Sequence, residues 1–268
     1  MRIYHYTSIQ TLALILKYKK IRFNRLDRVD DMEESIYGSG PLQTKLGMYT
    51  FVSCWTKNDK ENLALWNMYT RYRGVRIGID EMPFETYKVS DSFISLLPDS
   101  ISFGTDFFVS SFNNEAKLYD IEYVDNPEAE IEKLIIHARN GGIAVDTNHI
   151  GTFKRKEWAM QQESRFKITV FPVDIAGAIK EIIEKPQGQN IDFYNYILNS
   201  LEPCLSKNIP INTPSIDLEL DTDKLANIEI MMGPLTSDAD RIIVESLLNP
   251  FPNAQIYNSR FWGKLREK

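Results

Sequence analysis

The chain has 268 residues, with 31 Lys or Arg against 37 Asp or Glu and a net charge of −6, and its 43% hydrophobic share is that of a globular domain. Its 14 Phe, 13 Tyr and 4 Trp exclude a disordered segment or a coiled coil, and no apolar run reaches the ~18–20 residues that cross a bilayer. Two distant cysteines (Cys54, Cys204) and three histidines exclude a zinc enzyme or a His-rich metal site, and with no signal-peptide pattern in MRIYHYTSIQ they make a reducing cytoplasm the expected compartment.

Arg2 to Tyr6 predicts a short strand. Ser8 is a good N-cap, and Ile9, Leu12, Ala13 and Leu16 form one helical face after it. Ile21-Arg22-Phe23 predicts a second strand, followed by a polar stretch from Asn24 to Gly40. Further on, Tyr49–Trp55 reads as a strand, Asn62–Tyr72 as a helix, and Gly74–Asp80 as a strand with Val75, Ile77 and Ile79 alternating. Residues 84–115 predict loops and short helices, and Leu118–Val124 a strand. Pro127 opens a helix with Ile131, Leu134, Ile135 and Ala138 on one face, ended by Gly141-Gly142. Lys154–Gln162 reads as helical and Ser164–Val170 as a strand. The Pro-, Asn- and Ser-rich stretch 186–222 predicts a surface wrap, and the chain closes with strand (228–232), helix (237–248) and strand (254–257). No GxGxxG or GxxxxGK[ST] occurs. The elements lack a regular βαβ rhythm, so the class is α+β.

Charge is unevenly spread. Residues 1–76 hold 13 basic and 7 acidic side chains, a balance of +6, and the rest hold 18 and 30, a balance of −12. The basic stretch Lys17 to Arg28 suits either a helix C-terminus in solvent or a phosphate-bearing ligand.

Four clusters are candidates for chemistry, each with a plainer alternative. His5 and Thr7, with Tyr6 between them, end a strand at a helix start, a position that favours anions; a core histidine bonded to a carbonyl fits as well. Asp30-Asp31-Met32-Glu33-Glu34 offers carboxylates for a cation or for acid–base work, or a solvated loop. Trp66 and Tyr69, three apart on a helix, either stack on a heterocycle or belong to the core. Gln161, Glu163 and Arg165 share one strand face, where Glu163 and Arg165 suit either catalysis or a structural ion pair.

In this order the segments YHYT-S, Asp–Glu loop, FVSCW, W-x-x-Y with a following glycine and strand, K-x-W-x-x-x-x-E-x-R and a late GP resemble a bacterial family labelled domain of unknown function 2971, from Arg2 to about Ser259. The chain departs from that pattern where the family has N-D-P-x-E at residues 30–34 and E-x-E at 161–163. More distantly, His5 with Thr7, a helical tyrosine and a late glutamate resemble ADP-ribosyltransferases of the His-Tyr-Glu type. That likeness implies a split β-sheet with flanking helices and NAD as substrate. His5, Tyr6 and Thr7 would hold NAD, Tyr69 would stack on nicotinamide, Glu163 would be catalytic with Gln161 beside it, and Arg22 or Arg25 would neutralise the pyrophosphate. The expected organisation is one α+β domain: an NAD-binding core over 1–175, a wrapping segment over 176–225, and a C-terminal strand–helix–strand appendage over 226–268. The implied partner is a macromolecular acceptor, protein or nucleic acid, in a toxin or phage-defence setting with an antitoxin or defence partner, without metal or membrane. Asp31, Glu34, Trp66 and Arg165 are further site candidates, with Asp31 and Glu34 expected to serve structure or acceptor positioning. The competing readings are a metal-dependent nuclease using Asp30, Asp31, Glu33 and Glu34, and a non-enzymatic nucleotide-binding module. The transferase reading requires His5, Thr7 and Glu163 to meet at one cleft, and a Glu163 carboxylate on the sheet face opposite the His5 ring would count it out.

Overall fold

The computed structural model describes residues 1–35, 45–137, 143–173, 180, 201, 203–205 and 207–266. Strand β1 (Arg2–Thr7) runs into helix α1 (Ile9–Tyr18), where the Ser8 hydroxyl accepts the Thr11 N–H at 3.0 Å and Ile9, Leu12, Ile15 and Leu16 are buried. Lys19, in the left-handed region at φ 52°, ends the helix and turns the chain into β2 (Lys20–Arg25). On β2 the alternation sends Ile21, Phe23 and Arg25 inward and leaves Lys20, Arg22 and Asn24 exposed. β3 (Thr50–Thr56), α2 (Leu63–Thr70, capped by Asn62) and β4 (Val75–Asp80) follow as the sequence predicts.

The middle of the chain differs from its reading. Residues 84–115 are mainly short strands, β5 (Tyr87–Ser90), β6 (Phe93–Ser95), β7 (Ile101–Phe103) and β8 (Phe107–Ser110), whose cross-strand partners supply what weak local propensity does not. The single strand expected at 118–124 is two, β9 (Tyr119–Asp120) and β10 (Glu122–Val124), because the Ile121 N–H turns to the Glu163 carbonyl at 3.1 Å. Helix α3 (Pro127–Glu132) is shorter than predicted, and Ile135 belongs to β11 (Ile135–His137), paired with β12 (Ile143–Val145). Ala138, Gly141 and Gly142 lie outside the described residues. The segment 154–162 is part of β13 (Phe153–Arg155) followed by a 3₁₀ turn at Lys156–Gln161, which leads into β14 (Glu163–Pro172). Of the wrapping segment, most of 186–206 is outside the described residues, and β15 (Ser215–Glu219) is a paired strand, not a loop. Helix α4 (Thr222–Ala226), β16 (Glu229–Met232), helix α5 (Asp238–Leu248) and β17 (Gln255–Asn258) complete the chain.

The fold is α+β, with few helices on a large mixed sheet whose main path runs β17-β16-β4-β1-β3-β14-β8-β7. β16 pairs antiparallel with β4, so the C-terminal strand–helix–strand extends this sheet at its edge. One sheet face carries the main core, including Ile3, Phe23, Phe51, Trp55, Ile77 and Phe166. Tyr6, Leu65 and Trp66 form a smaller cluster of their own. Among the described residues, no helix is long and apolar enough to cross a membrane.

Candidate functional site

The site begins with how strand β3 is paired. Along one edge β14 accompanies it from Thr50 to Thr56. The other edge is shared: β1 meets it at Thr56 (opposite Tyr4), and β2 meets it at Phe51 and Val52 (opposite Arg25 and Asn24). Between these contacts the neighbours part, and Ser53 to Trp55 face a gap. His5 reaches into it, its Nδ1 lying 2.9 Å from the Cys54 carbonyl and its ring 5.2 Å from that of Trp55. A carbonyl only accepts, so Nδ1–H donates, and in the neutral ring Nε2 keeps a lone pair for a ligand. Burial lowers the His5 pKa, against the upward pull of the Cys54 carbonyl, and so favours that neutral form.

A cleft of about 790 Å³ opens at this gap, bordered by His5, Thr7, Tyr69, Glu163 and residues of α1 and β2. Its size is that of a small-molecule site. Lys20, Arg22, Arg28, Lys154 and Arg165 border it against Asp30, Asp217 and Glu163, so cations predominate. A chamber of about 50 Å³ beside it shares His5, Cys54, Tyr69 and Glu163 and adds Gln161 and Leu65.

At the cleft wall stands a buried cluster of four charges. Glu163 accepts from Arg165 Nε at 2.5 Å and from Lys154 Nζ at 2.9 Å. Arg165 also donates to Glu34 and, at 2.9 Å, to the Gly151 carbonyl, while Lys154 Nζ lies 3.0 Å from Glu34 and bonds Gln161 Oε1 at 2.7 Å. Burial would push the Glu163 pKa up, but Arg165 and Lys154 overcome it and hold the carboxyl at about 2, so it is ionised. Cys54 stands opposite Arg165 on β3; burial raises its thiol, which stays neutral. Tyr123 lends its hydroxyl to the Glu163 N–H at 2.8 Å.

His5, Thr7, Tyr69, Arg22, Glu163 and Arg165 all border the cleft, although His5 and Glu163 are 158 positions apart. Strand alternation roots His5 on the face of Trp55 and Glu163 on the face of its partner Thr56, so the two belong to opposite sheet faces. That placement goes against the transferase expectation, although both residues border the one cleft, where the strands part. Tyr69 is 40% exposed, and Gln161, which is buried, donates to its hydroxyl at 3.5 Å. Arg22 is an exposed cleft residue whose guanidinium is paired in two bonds with Asp217 across β15.

Other candidates fall elsewhere. The Tyr6 residue touches the cleft, but its ring stands edge-on to Trp66 at 4.8 Å and its hydroxyl accepts the Asn62 N–H. Trp66 is 0% exposed and bonds Glu61 through Nε1, so of the two readings it takes the core one, while Tyr69 borders the cleft. Arg25 is buried on Asp27 and the Ile211 carbonyl, out of reach of a pyrophosphate. The acidic loop is no solvated run: a 3₁₀ turn at Met32–Ser35 sends Asp31 and Glu34, three apart, inward and leaves Asp30 and Glu33 outside. Asp31 accepts the Glu33 N–H at 3.0 Å, its other oxygen has no hydrogen-bond partner, and burial raises its pKa. With Glu34 bound to Arg165 and Glu33 to Arg155, the four carboxylates diverge. Among the described residues, no group of three or more His, Cys, Asp or Glu is arranged to hold a metal ion.

Sequence reasoning missed Lys154, Cys54 and Tyr123. Lys154 sits on a three-residue strand with no pattern of its own, and only its cross-chain carboxylates give it a role. Comparisons with protein-family models, with curated proteins and with solved structures find no match.

Proposed function

We propose that this cleft binds NAD and that the chain cleaves its nicotinamide–ribose bond, passing ADP-ribose to a macromolecular acceptor or to water. The observation that carries the reading is that His5 and an ionised Glu163 border one cation-rimmed cleft. In the reaction the C1′–N bond breaks with its electron pair leaving on nicotinamide, which departs neutral. Positive charge then develops on C1′ and the ring oxygen, the acceptor oxygen or nitrogen bonds C1′, and its proton passes to solvent. A fixed carboxylate lowers that barrier electrostatically. A carboxylate has about four lone-pair sites. Arg165 and Lys154 each take one on Glu163, which leaves lone pairs for a ribose hydroxyl. His5 Nε2 accepts a second hydroxyl, and the exposed Tyr69 ring offers a stacking face. The split-sheet likeness to ADP-ribosyltransferases is part of this proposal, supported by the parting of β1 and β2 along β3. A role as a toxin or phage-defence effector rests on analogy with such families.

One observation favours a second reading, a nucleotide-binding module without chemistry: Lys154 and Arg165 offset the Glu163 charge within the cluster. Incubating the purified protein with NAD and a chelator, and following free nicotinamide alongside NAD affinity, separates the two. Release supports the transferase, affinity without release supports the module, and neither overturns both.

A further inference from the structure

Beyond the cleft, the turn after α2 and the C-terminal segment form a second surface. The Leu235 N–H donates to the Tyr72 carbonyl and the Gly233 N–H to the Gly74 carbonyl, each at 2.9 Å, which seats 71–74 against 233–236. Trp262 Nε1 donates to the Thr236 carbonyl at 3.3 Å, and the Arg260 N–H to Glu61 at 2.7 Å, which pins 259–266 beside them. Segments 71–74 and 259–266 contribute Arg71, Arg73, Arg260, Lys264 and Arg266, all exposed, and contain no carboxylate. In a chain of net charge −6 this is a strong local excess. Glu61 lies beneath, 4% exposed, and Asp59 and Asp238 are the exposed acids in the adjoining loop and helix start. Among the cations stands Trp262, 45% exposed, its ring edge tied at Nε1. Gly263 follows it at φ 71°, with open space around the position a Cβ would take.

We infer that this surface binds single-stranded nucleic acid, the guanidinium and ammonium groups taking phosphates and Trp262 stacking on an unpaired base. Phosphate contacts alone fit any polyanion; the exposed indole selects one with planar bases free of a duplex. An acidic peptide without aromatic residues offers nothing for that ring to stack on. Arg71 follows the cleft residue Tyr69 by two positions, so this surface begins beside the cleft. Reading a bound strand as the acceptor rests on the transferase proposal; the binding itself does not.

The test titrates the full chain with a fluorescently labelled oligo(dT) strand at several salt concentrations. With three to five phosphates engaged, log affinity should fall against log salt with a slope of about −2 to −3.5. Trp262→Ala should weaken binding about 10-fold or more at equal folded fraction. Changing exposed Lys264→Ser and Arg266→Ser together should shrink the slope by about 1.4. Salt-insensitive binding, affinity unmoved by both variants, or poly-glutamate bound as tightly as oligo(dT) would each overturn the inference. Glu163→Gln should keep the oligonucleotide affinity, so failure of strand binding and failure of NAD cleavage are told apart.

Discussion

Glu34 is a built-in control for Glu163. Both are buried, both bind Arg165 and Lys154, but Glu163 alone of the two borders the cleft. Removing one charge from such a cluster leaves the cations under-compensated, a loss of about 3 kcal/mol. Glu34→Gln and Glu163→Gln should therefore lower the melting temperature alike. If Glu163 stabilises the cationic transition state, only its variant should lose turnover at equal folded fraction, by roughly 10²–10³-fold, with NAD affinity kept. Matched losses of activity in both variants would make Glu163 structural. Acid stability separates further groups. Glu163 titrates at about 2 in the fold and at 4.5 ordinarily, so its stabilisation is complete above 4.5 and is lost as pH falls toward 2. His5 is depressed from 6.5, so the unfolded chain takes that proton first and stability declines as pH drops below 6.5. Urea midpoints against pH should show the upper decline vanish in His5→Gln and the lower one shrink in Glu163→Gln.

Elements with a regular period were legible, and those made by partners were not. Ser8 with its four-spaced apolar face announced α1, and alternating Val75, Ile77 and Ile79 announced β4. The strands within 84–115 carry three or four residues each of usable signal, and β15 is a strand because β2 stands beside it. Around the cleft, the sequence had already singled out His5, Thr7, Tyr69 and Glu163 as candidates. The inward turn of Glu34 was not legible, since a 3₁₀ period of three hides inside a run of five consecutive positions. Gly74, where α2 hands over to β4, is a sharper test of element packing. A Cβ there would stand 2.3 Å from the Thr7 carbonyl and 2.5 Å from the Thr70 side chain. Gly74→Ala should cost about 1–3 kcal/mol by thermal melt and, by displacing Thr7, weaken NAD binding together with stability.

At the scale of the molecule, the C-terminal strands complete the central sheet. A chain ending at residue 227 would lose β16 and β17, leave the β4 edge unpaired and uncover Ile77, and should give no cooperative thermal transition by circular dichroism. A cooperative melt of that truncated chain would mean that 1–227 folds independently. The interruption along β3 has a consequence of another kind. Within a strand the N–H and C=O of one residue point the same way, so the Cys54 carbonyl that orients His5 brings its N–H to the same opening. Main-chain atoms have no codon. An inhibitor anchored on these main-chain atoms of Cys54 and on the imidazole beside them would leave an evolving population few substitutions by which to evade it.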